Sequence, residues 1–190
     1  MAELERLLVT RAGCPERPFL VAIDGRCGAG KSTLAATLAA RHGWSVAHTD
    51  DFFLRPSQRT PERYAEPGGN LDRERFLQEV LAPLRNGGPV RYRPFDCRVM
   101  RLREPLSLRP SPVALVEGSY SCHPLFWDSY DLRVFLTIDP ETQIQRILRR
   151  NGPEKAELFK SRWIPMEERY FQAFSIKSRC DCVIHTGRRA

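Results

Sequence analysis

The chain has 190 residues, of which 42% are hydrophobic and 28% charged, as is ordinary for a globular protein with one domain and a full hydrophobic core. No apolar run approaches the roughly 20 residues that cross a bilayer, so the sequence predicts no membrane-spanning helix. The net charge of +7 comes without a nucleic-acid-binding motif. We therefore expect acidic small molecules such as nucleotides as partners, and neither nucleic acid nor a membrane.

The N-terminal residues show no basic region followed by an apolar core, so we expect no signal peptide and a cytoplasmic protein. The six cysteines lack the spacing of a disulfide framework or a zinc site, and reduced thiols fit the cytosol. These cysteines are Cys14, Cys27, Cys97, Cys122, Cys180 and Cys182. The sequence leaves the oligomeric state open, a homo-oligomer included.

The first predicted elements are a short amphipathic helix, a buried strand and a second helix. Leucines at helical spacing predict the first helix over residues 3–12, and Gly13 and Pro15 are expected to end it. The continuous apolar run 19–23 predicts a parallel strand that is covered on both faces. Strong helix formers over 34–40 predict the second helix. The residues between this strand and this helix therefore form a strand-to-helix loop.

This loop contains the phosphate-binding pattern Gly-x-x-x-x-Gly-Lys-Ser, from Gly25 to Ser32. Its glycines allow positive φ and a close approach of the backbone to phosphate, and the N-terminus of the next helix attracts an anion. Lys31 can reach the β and γ phosphates, and the Ser32 hydroxyl is placed to bind Mg2+. We predict that a nucleoside triphosphate, taken as ATP, binds with Mg2+ at Gly25, Gly28, Ala29, Gly30, Lys31, Ser32 and Thr33.

Two adjacent carboxylates, Asp50 and Asp51, follow a second predicted strand over residues 44–48. They lie at the edge of the sheet where ligands bind in open α/β folds. A helix-capping Asp is the alternative interpretation, but the neighbouring phosphate site favours a functional role.

The next segments are a loop, a helix and a small β-structure. Prolines and glycines over 55–70 predict an ordered loop above the site, with a plain surface loop as the alternative. Apolar spacing over 73–84 predicts a helix, for which Asp72 is either the N-cap or a ligand-binding residue. Residues 90–109 are expected to form a small β-excursion, a hairpin, that caps an acceptor pocket.

Arginines crowd this part of the chain. Most are expected to form a solvated face. In the alternative, one or two of them, Arg93 among them, clamp an acidic group of an acceptor, because arginine pairs bidentately with phosphate or carboxylate. The set is Arg85, Arg91, Arg93, Arg98, Arg101, Arg103 and Arg109.

The remaining elements alternate between strands and helices. Strands are predicted just before Glu117, over 132–138 and over 182–185, and a helix over 163–171. Asp139 as N-cap and Pro140 start another helix, which breaks at 151–153 and turns Ile144, Ile147 and Leu148 to the core. These elements predict a single α/β domain over 1–190, a P-loop NTPase fold. Its parallel sheet has about five strands with helices on both faces, plus the β-excursion at about 85–110 and a lid at about 149–162.

Together the motifs resemble those of the uridine kinase family and its relatives, nicotinamide riboside kinase and phosphoribulokinase. The resemblance covers most of residues 19–185 and implies ATP-dependent transfer of the γ-phosphoryl group to the 5′-OH of uridine or cytidine. A kinase of nicotinamide riboside or of another sugar-like or acidic metabolite is the alternative. A nucleotide-dependent switch or ATPase is disfavoured, because the Asn-Lys-x-Asp motif of a switch GTPase is missing. The matching residues are Asp24-Gly25 to Thr33, Asp50-Asp51-Phe52-Phe53, Asn70-Leu71-Asp72, Glu117-Gly118 and the arginines near residue 149.

The resemblance also implies roles for acidic residues. Asp50 would act as general base and help to hold Mg2+, since a carboxylate can orient an alcohol and take its proton late in transfer. Asp51 is the second candidate for this role. Asp72 would bind the ribose hydroxyls, although Leu71 replaces the aromatic residue usual in the family. Glu117 would bind Mg2+ in place of the more common Asp.

Aromatic and basic residues complete the implied site. Tyr92 and Phe95 would stack on the base, although Arg93 replaces the histidine that usually follows the tyrosine. Lid arginines would neutralise the transferring phosphoryl group and exclude water. The candidates are Arg146, Arg150 and Arg162, with Arg149 as a further one and a plain helix surface as the alternative.

Overall fold

A five-stranded parallel sheet forms the centre of the computed structural model, which describes residues 2–12 and 16–187. The described strands are β1 (Phe19–Gly25), β2 (Ser45–His48), β3 (Arg91–Tyr92), β4 (Phe95–Asp96), β5 (Arg101–Leu102), β6 (Leu106–Ser107), β7 (Val113–Glu117), β8 (Leu132–Thr137) and β9 (Cys182–His185). The sheet has the order β2-β7-β1-β8-β9, and each neighbouring pair is parallel. This arrangement confirms the predicted α/β fold.

Helices cover both faces of this sheet. They are α1 (Ala2–Arg11), α2 (Lys31–His42), α3 (Pro61–Ala65), α4 (Arg73–Phe76), α5 (Ala82–Arg85), α6 (Pro140–Asn151), α7 (Pro153–Leu158), α8 (Ile164–Ala173) and α9 (Ile176–Arg179). Short 3₁₀ turns occur at Thr49–Phe52, Pro56–Gln58 and Pro124–Ser129. The helix predicted at the N-terminus is α1, whereas Gly13 and Pro15, expected to end it, lie outside the described residues.

Alternate residues of β1 point to hydrophobic clusters on opposite faces of the sheet. Leu20 and Ala22 pack in one cluster with buried side chains of α4, α5, α8 and α9. Val21 and Ile23 pack in the other with buried leucines of α1 and α2. Fully burying one such side chain stabilises the fold by about 1.5–3 kcal/mol. The apolar run that predicted β1 is therefore explained by burial on both sides.

Two long helical runs contain a π-helical turn shortly before a proline. The turn Leu77–Leu81 joins α4 to α5 ahead of Pro83, and the turn Phe159–Trp163 joins α7 to α8 ahead of Pro165. A proline ring clashes with the carbonyl four residues earlier in a regular α-helix, and the wider turn relieves this clash. The chain therefore stays helical from 73 to 85 and from 153 to 173.

The predicted β-excursion is present as two nested antiparallel ladders, β3 with β6 and β4 with β5. The break predicted after α6 is also present, at Gly152, where φ is 81°. Asp139 caps α6 as predicted, accepting a hydrogen bond from the Thr142 N–H at 2.8 Å. That these segments cap an acceptor and act as a lid stays a prediction.

Within the described parts of the chain, no helix is both long and apolar enough to cross a bilayer. The described cysteines are free thiols, as predicted, and Cys14 lies outside the described residues.

Candidate active site

A cavity of about 880 Å³ lies at the edge of the sheet where the parallel strands end. The loop after β1, the turn after β2, the end of β7, α6 and the helical run 153–173 all contribute to its wall. This is the edge at which open α/β sheets bind ligands, because their loops converge there.

The loop between β1 and α2 has the backbone of a phosphate cradle. Gly25, Gly28 and Gly30 have φ values of 126°, 77° and 93°. A Cβ atom at Gly25 would lie 1.9 Å from the Leu136 carbonyl oxygen, so the close contact of β1 with β8 requires glycine there. The N–H groups of the first turn of α2 have no intrahelical partner and can bind an anion.

The seven residues predicted to hold the triphosphate divide into two groups. Gly25 and Ala29 are buried and are not among the residues that line the cavity, and the Ala29 carbonyl accepts a hydrogen bond from the Thr186 hydroxyl at 2.7 Å. The other residues line the cavity: Gly28, Gly30, Lys31, Ser32 and Thr33. Five of the seven residues predicted from the local pattern therefore lie at the cavity surface.

The Lys31 side chain folds over its own loop. Its Nζ donates hydrogen bonds to the Gly25 carbonyl at 2.5 Å and to the Arg26 carbonyl at 3.2 Å. Only 8% of Lys31 is exposed, so its charge is held in a partly desolvated position beside the cradle. A cation in this place can bind phosphate oxygens strongly, because water screens it little.

Glu117 joins the ends of β7 and β2 to the cradle. Its carboxylate accepts a hydrogen bond from the Ser32 hydroxyl at 3.0 Å. It also contacts His48 Nδ1 at 2.5 Å, because the register of β2 and β7 pairs His48 with Glu117. This hydrogen bond is the main reason why the pKa of His48 is raised. Two of the three oxygen donors predicted for Mg2+, Ser32 and Glu117, are therefore adjacent.

The donor set fits Mg2+ bound together with a nucleotide. Ser32, Glu117 and Asp50 offer hard oxygen ligands around one cavity. The described residues contain no group of three or more His, Cys, Asp or Glu side chains arranged to hold a metal by themselves. Mg2+ does not need such a group, since it keeps several waters and takes further ligands from substrate phosphates.

The two adjacent aspartates face different surroundings. Asp50 lines the cavity with an exposed side chain, and desolvation by the surrounding protein is the main cause that raises its pKa. Lys31 opposes this rise, whereas Glu117 and Glu167 add to it. The Asp51 carboxylate instead accepts a hydrogen bond from the Tyr92 hydroxyl at 2.9 Å. The fold therefore separates the pair and leaves Asp50 available to a ligand.

Three of the four residues expected to bind the acceptor lie away from the cavity because the core uses them. The Tyr92 ring packs on Phe52, with centroids 4.9 Å apart, and Phe95 is also buried. Asp72 is only 1% exposed and caps α4, accepting the Arg75 N–H at 3.3 Å.

The fourth, Arg93, is exposed, but its guanidinium donates to the carbonyls of Arg103 and Leu102. None of these four side chains lines the cavity. We therefore leave Asp72, Tyr92, Arg93 and Phe95 out of the acceptor site proposed below.

The predicted lid arginines are partly gathered at the cavity. Arg146, Arg149 and Arg150 line it. Arg146 donates to the carbonyls of Gly28 and Thr186, which ties α6 to the cradle. The cavity lining does not include Arg162, which stacks on Trp163 with its guanidinium carbon 4.8 Å from the ring centroid.

Sequence reasoning missed a buried carboxylate of the site, Glu167 of α8. It accepts hydrogen bonds from the Cys27 N–H at 3.0 Å and from the Ser119 hydroxyl. Two neighbours in α8 reach the same loop, since Glu168 pairs with Arg26 and the Tyr170 hydroxyl donates to Asp24. No local sequence pattern predicts these contacts, because they join segments that are about 140 residues apart in the chain.

The acceptor side of the cavity also contains side chains that were not predicted as site residues. They include a cation, an amide, a thiol and three aromatic rings. They are Arg59, Asn70, Cys97, Phe53, Tyr64 and Trp163.

No family model matches the chain. The uridine kinase of Clostridium perfringens strain 13 is 23% identical over 156 residues, which cover 77% of this chain and 74% of that protein. The fold resembles a proposed fructose transport system kinase from Silicibacter sp. TM1040, with a TM-score of 0.72, 21% identity and coverage of 96% and 98%. It also resembles a candidate uridine kinase from Bacillus stearothermophilus, with a TM-score of 0.65, 20% identity and coverage of 96% and 97%.

The parallel sheet and the phosphate cradle give this chain the α/β fold of P-loop proteins. The sequence matches to uridine kinases, together with the structural neighbours, support the uridine kinase-like P-loop kinase family that the motifs predicted.

Proposed function

We propose that the protein is an ATP-dependent kinase that transfers the γ-phosphoryl group to the 5′-OH of a nucleoside such as uridine or cytidine. The observation that carries this proposal is that Asp50 lies in one cavity with Lys31, Ser32 and Glu117. A phosphate cradle and a carboxylate that can accept a hydroxyl proton are the two parts that such transfer needs.

In this proposal each group of the cavity has a separate task. The backbone of the cradle and Lys31 hold the triphosphate, while Ser32, Glu117 and Asp50 would hold Mg2+. Bound Mg2+ would neutralise charge on the phosphate oxygens. Asp50 orients the acceptor hydroxyl and takes its proton. Its raised pKa makes it a stronger base than an ordinary Asp, although deprotonation then requires a higher pH.

The arginines at the end of α6 complete the proposed mechanism. Arg146 and Arg150 would stabilise negative charge on the phosphoryl group during transfer, with Arg149 beside them. Arg146 donates hydrogen bonds to two carbonyls. Among the described residues, Arg150 donates to the neighbouring Asn151 side chain, and its guanidinium carbon lies 5.9 Å from the Phe159 ring centroid. We therefore assign Arg146 to a fixed position and Arg150 to a mobile one.

A nucleoside acceptor is supported by the curated relatives named uridine kinase and by the rings of Phe53, Tyr64 and Trp163 at the cavity. Flat rings of this kind can stack on a base. A soluble nucleoside and nucleotide as reactants fit a cytoplasmic protein.

A sugar-like or acidic acceptor is the second candidate, and Arg59 favours it. Arg59 lines the cavity, where its Nε donates to the Leu54 carbonyl at 2.9 Å and one terminal nitrogen lies 4.0 Å from the Cys97 sulfur. Among the ion pairs of the described residues, none involves Arg59. A fixed arginine without a carboxylate partner can bind an anionic group of an acceptor.

The test is release of nucleoside diphosphate from ATP and Mg2+ over a panel of uridine, cytidine, nicotinamide riboside, D-fructose and acidic sugar derivatives. Stimulation by uridine or cytidine with formation of the 5′-monophosphate supports the first proposal. Activity on an acidic acceptor alone, lost in Arg59→Ala, replaces it with the second. A protein that hydrolyses ATP equally with every acceptor contradicts both, and Lys31→Met controls for contaminating kinases.

A further inference from the structure

The Glu117 carboxylate is held at both of its oxygens. Oε2 accepts a hydrogen bond from the Ser32 hydroxyl at 3.0 Å, and Oε1 lies 2.5 Å from His48 Nδ1. An ionised carboxylate can only accept hydrogen bonds, so Nδ1 carries a proton and is the donor in this contact. The Glu117 side chain is only 4% exposed, so little water can replace either partner.

The sheet itself places His48 opposite Glu117. His48 is the last residue of β2, Glu117 is the last residue of β7, and the parallel register pairs the two. Because side chains alternate along a strand, residues that are paired in register project from the same face of the sheet. The position of His48 is therefore set by two strands and does not depend on a loop.

His48 lies outside the cavity wall. It is not among the residues that line the cavity, whereas Ser32 and Glu117 both line it. β2 is an edge strand of the sheet, and the His48 side chain is 45% exposed. The contact with Glu117 is therefore the route by which His48 can act on the site.

The hydrogen bond to Oε1 limits how the carboxylate can turn. The terminal torsion of a glutamate is broad, so a carboxylate without an anchor samples many orientations. With Oε1 held by His48, Oε2 stays beside the hydroxyl of Ser32, the neighbouring Mg2+ ligand in the proposed site. If His48 is removed, a buried oxygen loses its donor, and this costs free energy that a turn of the carboxylate can recover.

We infer that His48 is a positioning residue for Glu117, because its Nδ1–H fixes the carboxylate in the orientation that binds Mg2+ together with Ser32 and the nucleotide. This inference rests on the proposed kinase function and adds to it a residue that lies outside the phosphate-binding motif. Hydrogen bonds that orient metal-binding side chains commonly contribute about 10–100-fold to metal affinity.

The test compares two substitutions of His48 with one at a second histidine. His48→Leu removes the donor, whereas His48→Asn keeps an N–H at the same number of bonds from the Cα atom as Nδ1. His42→Leu is the matched control, since His42 Nε2 lies 2.8 Å from Glu5 Oε1 and neither residue lines the cavity. The stability that a His–Glu contact contributes is lost in both leucine variants, and the orientation of Glu117 is lost in one.

Calorimetry measures the affinity for a β,γ-imido analogue of ATP, which is not hydrolysed, with excess Mg2+ and with a chelator. We expect Mg2+ to strengthen binding to the wild type, and this gain to fall about tenfold in His48→Leu. Binding without metal should stay within about twofold, and His48→Asn and His42→Leu should keep the gain within about threefold.

Three results would overturn the inference. They are an unchanged gain in His48→Leu, an equal loss in His48→Leu and His48→Asn, and a wild type whose affinity Mg2+ does not change. A lower melting temperature of His48→Leu with an unchanged gain would identify a structural role alone.

The binding assay needs neither acceptor nor turnover, so it separates this inference from the kinase proposal. A gain that depends on His48, in a protein that phosphorylates no acceptor of the panel, supports the inference and contradicts the kinase proposal. Phosphorylation of an acceptor with an unchanged gain in His48→Leu does the reverse.

Discussion

The buried carboxylate Asp24 makes a pH dependence of stability predictable. Asp24 is fully buried beneath the phosphate cradle and accepts hydrogen bonds from the Gly25 N–H at 2.6 Å, the Cys122 N–H at 2.9 Å and the Tyr170 hydroxyl at 2.8 Å. Burial nevertheless outweighs these bonds and the nearby Lys31 charge, and raises the pKa of Asp24 from 3.8 to about 6.

The sign of the effect follows from linkage. Between these two pKa values the folded state binds a proton that the unfolded state has lost, so this group stabilises the fold at low pH and loses its contribution as the pH rises through about 6. A shift of about two pKa units corresponds to about 3 kcal/mol in total. Of this, about 2 kcal/mol falls between pH values of roughly 4.5 and 7.5, a range accessible to measurement.

The assay is urea unfolding of wild type and Asp24→Asn at several pH values. Asparagine does not titrate, so other groups cancel in the difference between the two unfolding free energies, apart from a constant for changed hydrogen bonds. As the pH rises over this range, we expect the unfolding free energy of the wild type to fall by about 2 kcal/mol relative to that of Asp24→Asn. A difference that is flat with pH, or that moves in the wild type's favour, would refute the assignment of a raised pKa to Asp24.

Three further predictions concern the cradle and the cavity. Gly25→Ala should prevent stable folding, because its Cβ atom would overlap the Leu136 carbonyl. Gly43→Ala, where φ is 70° and the space is open, should cost only about 1 kcal/mol of stability. Thermal melting followed by circular dichroism compares the two variants, and similar melting of both would contradict this prediction. Glu167→Ala should weaken ATP binding about tenfold in calorimetry, because the Cys27 N–H loses its hydrogen-bond acceptor. Glu167→Gln should keep the ATP affinity within about twofold of the wild type. Equal weakening in both variants would show that the charge of Glu167 matters and its hydrogen bond does not. The exposed thiol of Cys97 lines the cavity, so its labelling by a maleimide should block the cavity and should be slower when nucleotide and acceptor are bound. Mass spectrometry measures the labelling rate, with Cys97→Ser as the control. A rate that is unchanged by bound ligands would place Cys97 outside the occupied site.

The elements that were predicted well are those with local causes. Apolar runs predicted the strands because burial on both faces requires them. The Asp139 side chain caps the start of α6, and the backbone of Gly152 ends it, so both limits have local causes. The cradle was predictable for the same reason, since its glycines and Lys31 act within one short loop.

Errors arose where distant contacts override the local pattern. Helical spacing predicted that Leu148 faces the core, but Leu148 is 46% exposed and Gln143 is buried instead. The reason is that the Gln143 amide donates to the Cys27 carbonyl at 3.0 Å, so a polar residue of α6 serves the cradle. Apolar periodicity cannot register such a partner.

The acceptor side was the least predictable part of the site. Tyr92 has the size and polarity of a base-stacking residue, but its ring packs on Phe52 and its hydroxyl is used by Asp51. Arg59 carries no motif that marks it as lining the cavity, and the Asn70-Leu71-Asp72 match assigned the binding role to Asp72, not to Asn70. Their position depends on how the loop 55–70 folds over the sheet edge, which is a tertiary property.

The measurement that tests the central claim most directly uses the adjacent pair Asp50→Asn and Asp51→Asn. Transfer of labelled γ-phosphoryl from ATP to the best acceptor of the panel is compared with ATP binding by calorimetry in each variant. We expect Asp50→Asn to lose about a hundredfold or more of the transfer rate while it still binds ATP, and Asp51→Asn to lose far less. Undiminished transfer in Asp50→Asn, or an equal loss in both variants, would contradict the proposal that the cavity carboxylate Asp50 activates the acceptor hydroxyl.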